Sequence, residues 1–114
     1  KNDVSRWGIY KFSKKINKSD FFVKDVIEKP LIKNAPSNKA VIGRYILSKK
    51  IFSKLKKQKI GKGGEIHITD AIRSLIKDDE KFIAHNFSGR YLDCGTMKGY
   101  INSSKEISKS WKFV

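Results

Sequence analysis

The stretch "DVIEKPLIKNAPSNKAVIGRYIL", Asp25 to Leu47, decides how the chain is read. It opens on the end of an apolar strand, sets an acid beside a base at Glu28 and Lys29, and meets Pro30. Proline has no N–H to give a central ladder, so the strand "FFVKDVIEK" has to end there. A loop with two prolines, "PLIKNAPSNK", comes next. Then "AVIGRYILS", a strongly apolar run, predicts a central buried strand.

Outward from this stretch, strand and helix signals alternate. "VSRWGIYKF" (Val4 to Phe12) is rich in β-branched and aromatic residues and predicts a strand, with "KKINKSD" as a polar turn. Ser48 is placed to cap a short helix "KKIFSKLKKQ", with Ile51, Phe52 and Leu55 on one face. "KIGKGGE" is a glycine-rich loop that lacks the pattern of a P-loop and reads as a connector. Thr69 predicts the N-cap of "DAIRSLIKDDE", with Asp70 favouring the helix dipole and Ala71, Ile72, Leu75 and Ile76 as the apolar stripe. "KFIAHNF" predicts a strand, "SGR" a tight turn and "YLDCG" a short strand. "TMKGYINSSKEISKSW" predicts a helix capped by Thr96, with Met97, Tyr100, Ile101 and Ile107 facing inward. Interleaved elements of this kind imply an α/β or α+β layer structure. With 114 residues, no internal repeat and no linker, the chain fits one domain or part of one. It opens at Lys1 without Met and runs almost at once into a strand signal, so the expectation is of a piece of a longer protein.

The net charge of +15 invites a nucleic-acid reading, but 22 of the basic residues are Lys and only 4 are Arg. Lys, Ile and Asn, all with A/T-rich codons, make 43 of the 114 residues, and the lysines are spread along the whole length. Arg is the better reader of bases and phosphates. The charge therefore implies solvated lysines and no specific nucleic acid, although it would help attract phosphorylated small molecules. No apolar run approaches the ~20 residues of a membrane span, and no signal peptide is visible. A lone Cys94 leaves no disulfide framework and fits a cytoplasmic location.

Among the 11 acids, those at strand ends carry the chemistry, because layered α/β folds bind ligands there. Lys29 can meet a phosphate as a point charge. Glu28 points to the opposite face if the strand continues, or into a cleft if the chain turns at Pro30, where a carboxylate accepting from two hydroxyls suits a sugar. The alternative is a surface pair worth under about 1 kcal/mol. Asp93, in "YLDCGT", is a hard oxygen ligand suited to Mg²⁺, which takes one or two protein carboxylates and fills its shell with phosphate and water. Its alternative is an Asx turn before Gly95. His67 and His85 lie far apart and read as structural, and Ser53 and Cys94 have no adjacent general base.

Taken in order, "VSRWG", "VIEKP", "APSNKAVIGRYIL", "GGEIHITDAI" and "LDCGTMKGY" resemble the C-terminal half of the bacterial UTP–glucose-1-phosphate uridylyltransferases (UDP-glucose pyrophosphorylases), over Val4 to about Tyr100. The resemblance implies the C-terminal part of a single Rossmann-like nucleotidyltransferase domain, residues 1–114, with a mixed sheet and flanking helices. It implies transfer of uridylyl from UTP to glucose 1-phosphate with Mg²⁺. A thymidylyl-type enzyme is the nearest alternative, and a basic nucleic-acid module a more distant one. Carried over residue by residue, Glu28 would accept from glucose hydroxyls and Lys29 would hold the sugar phosphate. Gly8 would let its backbone approach the sugar, Val41 and Tyr45 would line its pocket, and Asp93 would be one of two aspartates on Mg²⁺. Glu65 lies in a family motif without a firm role. Trp7 stands where a smaller aromatic is expected, and "GGE" where an acid often precedes the Glu. The family's glycine-rich nucleotide loop, its basic residues on the UTP phosphates and its other metal-binding aspartate are not among these residues, so the chain by itself is expected to be inactive. Association into a homo-oligomer is expected from the apolar faces of such a half.

Overall fold

The computed structural model describes residues 4–111, except the side chain of Lys62. Three strands form one antiparallel sheet in the order β1 (Gly8–Lys15), β2 (Asp20–Glu28), β3 (Phe82–His85). Three helices accompany it, α1 (Lys50–Lys57), α2 (Ile68–Lys77) and α3 (Met97–Ser110). The expected α/β class therefore holds. All pairings among these strands are antiparallel, so the parallel ladder that a mixed sheet requires is not carried by them.

The β1–β2 hairpin is closed by side-chain chemistry. The Asn17 carboxamide oxygen accepts from the N–H groups of Ser19 and Asp20, both at 2.9 Å, and its NH₂ donates to Asp20. This is how Asn stabilises a turn. β1 starts at Gly8, four residues later than expected, because Val4–Arg6 wind into a 3₁₀ turn. It then runs on to Lys15. Register shifts on both sides of Phe12 bend the ladder.

α2 lies on β2, and α1 on α2. Val26, Val41, Ile51, Ala71, Ile72 and Leu75 form the core between these layers, with Tyr10, Leu47, Leu55, Ile76 and Phe82 around it. Burial of Ala71, Ile72 and Leu75 is the stripe that the helical spacing predicts. A polar bond fastens α2 to the sheet. Arg73 donates two hydrogen bonds to Asp25, at 2.8 and 2.9 Å, in the fork geometry that suits a carboxylate.

Several expectations need correction. "AVIGRYILS" is not a central strand. It makes one bridge, Ala40 to Ile9, with Val41 donating to the Gly8 carbonyl, and then leaves the sheet. Val41 is buried, but Ile46 is fully exposed. "YLDCG" forms no strand. Ser48 does not cap α1 with its side chain, since the cap position is Lys49. Thr69 is not a cap either: α2 begins one residue earlier, at Ile68, which leaves the Thr69 hydroxyl for another task. Thr96 does cap α3, accepting from Gly99 N–H at 3.0 Å. Yet Met97, Tyr100, Ile101 and Ile107 are exposed, and the residue α3 buries is Ser103.

Two stability tests follow from this packing. Asp25→Ala should cost about 1–3 kcal/mol in urea unfolding, since it leaves a half-buried guanidinium without its carboxylate. Burial pushes the Tyr10 phenol from 10.0 up to about 12, with Tyr45 adding to the shift. The folded state then holds the Tyr10 proton over a pH range in which the unfolded chain loses it. Its contribution should be whole below pH 10 and fall away as pH rises towards about 12, and Tyr10→Phe should flatten that part of the stability profile.

Candidate functional site

β2 ends in a change of backbone direction. Lys29 has φ 43, in the left-handed region that a non-glycine residue adopts only where its surroundings impose it. Its N–H donates to the Trp7 carbonyl at 3.0 Å, so the turn is tied to β1. This selects the second of the two readings of Glu28: its side chain is turned inward and is only 12% exposed. There Oε2 accepts from the Thr69 hydroxyl at 2.5 Å, across the β2–α2 layer boundary.

Gly8 is the residue paired directly opposite Glu28 in the ladder. A Cβ at Gly8 would stand 2.9 Å from Glu28 Oε2, 2.9 Å from Thr69 Cγ2 and 3.3 Å from Val41 Cγ2. The missing side chain therefore makes room for the protein's own Glu28 carboxylate and Thr69 methyl. These residues line a recess of about 340 Å³, together with Tyr45, His67, Trp7, Arg6 and Tyr91. Burial, then the Glu28 charge, then Tyr91 raise the pKa of the Tyr45 phenol, so it stays a neutral donor beside the carboxylate.

Lys29 stands next to this recess, and its ammonium lies 3.6 Å from Glu65 Oε2. His67 comes between the two acids. Its Nε2 is 3.8 Å from Glu65 Oε2 and its Nδ1 is 3.9 Å from Glu28 Oε1. Glu65 and His67 are both extended, so side chains two apart share a face.

Asp93 sits over a second, larger recess of about 700 Å³, which shares Arg6, Trp7, Ile42 and Tyr91 with the first. Trp7 and Tyr91 meet edge to face, 5.3 Å apart, in the wall between them. Asp93 Oδ1 accepts from Gly95 N–H at 3.0 Å, which is the Asx turn, and Oδ2 accepts from Arg6 at 3.3 Å. Behind it, α3 approaches so closely that a Cβ at Gly99 would collide with the Asp93 carbonyl. Among the described residues, no group of three or more His, Cys, Asp or Glu could hold a metal ion. Both Asp93 oxygens already accept hydrogen bonds, one from Arg6 and one from Gly95.

The structure brings Gly8, Glu28, Val41 and Tyr45 into one recess, puts Lys29 at its edge, and sets Asp93 across the Arg6–Trp7–Tyr91 wall. The sequence reading of Thr69 as a cap leaves out its bond to Glu28, and His67, read as structural, lies within 4 Å of both Glu28 and Glu65. The signal was the spacing of Glu65, His67 and Thr69 at every second residue.

A turned strand end thus holds an inward carboxylate, with a lysine at the next residue, beside a cleft shared between two recesses. Comparison with known proteins gives the class of this protein. The nucleotidyl transferase family profile matches residues 1–110, and the chain belongs to that family. It is 49% identical over 82 residues, 72% of this chain, to a UTP–glucose-1-phosphate uridylyltransferase of Pseudomonas aeruginosa. It is 41% identical over 106 residues, 93% of this chain, to a uridylyltransferase of the same name from Staphylococcus saprophyticus. The chain spans 29% and 36% of the length of these relatives. A UDP-glucose pyrophosphorylase solved in complex with UDP-glucose superposes with TM-score 0.87 at 42% identity, over 96% of this chain and 40% of that one. The UTP-bound enzyme from Acinetobacter baumannii gives TM-score 0.75 at 31% identity, over 95% of this chain and 36% of that one. Among the described residues, no helix is long and apolar enough to cross a membrane.

Gly8→Ala tests the close packing under Glu28. The added methyl has to displace Glu28 or Thr69, and the variant should lose about 1–3 kcal/mol of stability by urea unfolding.

Proposed function

We propose that this chain is the C-terminal, sugar-phosphate part of a single nucleotidyltransferase domain that makes UDP-glucose and pyrophosphate from UTP and glucose 1-phosphate. The observation that carries the reading is the Glu28 carboxylate, held inward at the end of β2 by Thr69 and given room by Gly8. The relatives, named for UTP and glucose 1-phosphate, favour uridylyl over thymidylyl transfer.

In this reading one Glu28 oxygen stays bonded to Thr69 and the other accepts from sugar hydroxyls. Val41 and Tyr45 wall the sugar, with the Tyr45 hydroxyl available as a donor. Lys29 holds the phosphate. A phosphate oxygen of glucose 1-phosphate forms a bond to the α-phosphorus of UTP while the bond from that phosphorus to pyrophosphate breaks. No proton has to be removed from a phosphate that is already anionic, so positioning and charge stabilisation carry the rate. Mg²⁺, when bound with Asp93 as one ligand, would neutralise charge developing on the phosphates. A cytoplasmic location and a homo-oligomer belong to the same proposal, the latter supported by the exposed apolar side chains of α3.

Glucose 1-phosphate added to the chain should produce saturable NMR shifts at Gly8, Val41 and Thr69. Glu28→Gln should weaken that binding about ten-fold or more, as expected for losing charged hydrogen bonds. Absence of saturable shifts at these positions would overturn the site. The chain incubated with UTP, glucose 1-phosphate and Mg²⁺ should form no UDP-glucose, and turnover in that mixture would refute the division of labour proposed here.

A further inference from the structure

The Lys29 ammonium, read above as the phosphate-binding cation, already faces an anion from its own chain. Glu65 Oε2 lies 3.6 Å away, while the Glu65 side chain is 65% exposed. Its backbone, by contrast, is fixed. The Glu65 carbonyl accepts from Gly61 N–H at 2.8 Å, Gly64 N–H donates to the Gly61 carbonyl, and Gly63 and Gly64 both have positive φ, at 77 and 79. The loop is thus a closed turn that presents Glu65 at a set distance from Lys29. Only the exposed side chain has to rotate for the contact to break, a motion of the picosecond to nanosecond class. On the inner side His67, 12% exposed, spans Glu65 and Glu28. One imidazole therefore lies within 4 Å of both carboxylates.

We propose that Glu65 sets the affinity for phosphate: it is an internal carboxylate that occupies Lys29 and must be exchanged for the phosphate of the incoming sugar phosphate. The inference rests on the reading of Lys29 as the phosphate-binding cation. A neutral sugar leaves the Lys29–Glu65 pair in place and binds without exchange. A phosphomonoester, with up to two charges and three acceptor oxygens, can displace Glu65 from Lys29. Glu65 thereby lowers the affinity only for ligands that must place an anionic group on Lys29, and least for one that carries a dianionic phosphate where glucose 1-phosphate has it. The effect on phosphate affinity arises from a competitor already in place, without any contact between Glu65 and the ligand.

The test is an NMR titration of the full chain, wild type and variants, with glucose 1-phosphate and separately with glucose. Glu65→Gln keeps the shape and removes the charge. It should tighten glucose 1-phosphate by about five-fold, the scale of a partly exposed ion pair, and leave glucose unchanged. Glu65→Ala should do the same. Lys29→Met should weaken glucose 1-phosphate strongly, and adding Glu65→Gln to it should restore nothing. If Lys29→Met weakens binding but Glu65→Gln leaves it unchanged or weaker, the exchange is overturned and the role of Lys29 stands. If Lys29→Met has no effect, or if no variant binds glucose 1-phosphate, both the exchange and the reading it rests on are overturned. Equal tightening of glucose and glucose 1-phosphate by Glu65→Gln would also overturn it, since that is a general loosening of the recess.

Discussion

The arrangement depends on holding one carboxylate nearly buried at the end of a strand. Burying Glu28 is costly unless its oxygens find donors. The Thr69 hydroxyl meets one of them, and the pair straddles the sheet and α2, so the site exists only when those two layers are docked. The Arg73–Asp25 fork, made by the same helix and strand, resists sliding of α2 along β2. The ladder adds the second condition. Antiparallel pairing sets Gly8 opposite Glu28, and with any larger residue there Glu28 or Thr69 would have to move. Core packing, one ion pair and one glycine thus converge on a single side chain.

The site divides between two recesses with a shared wall. Trp7 and Tyr91 form it edge to face, and Arg6 lies over the Trp7 ring while reaching Asp93. Arg6, which reaches Asp93, is therefore also part of the lining of the smaller recess. The connection is short: Arg6 and Trp7 are neighbours, and β1 starts at the next residue, Gly8.

What could be read from sequence follows from how local each signal is. The end of β2 near Pro30, the stripe of α2 and the Thr96 cap are decided within a few residues, and the structure has them. The apolar run Ala40–Ser48 was misread because hydrophobicity reports burial better than pairing: Val41 is buried, yet the ladder stops after one bridge. The α3 face was misread for a related reason. Periodicity shows which side of a helix is apolar and says nothing about whether another element covers it. The partnership of Thr69 with Glu28 spans 41 residues and hangs on a helix starting one residue before the expected cap, a shift no propensity argument resolves. Membership of the nucleotidyl transferase family came from five ordered motifs, which carry more than any one of these local signals.

Lys29 sits in a backbone conformation that glycine or asparagine would adopt at lower cost. Substituting either would relieve local strain while deleting the cation proposed above to hold the phosphate. Selection of variants for melting temperature alone would thus tend to erase Lys29, and a stabilised version of this fold has to leave position 29 out of its search. The conformational penalty at this residue is a stability–activity trade-off confined to one φ angle.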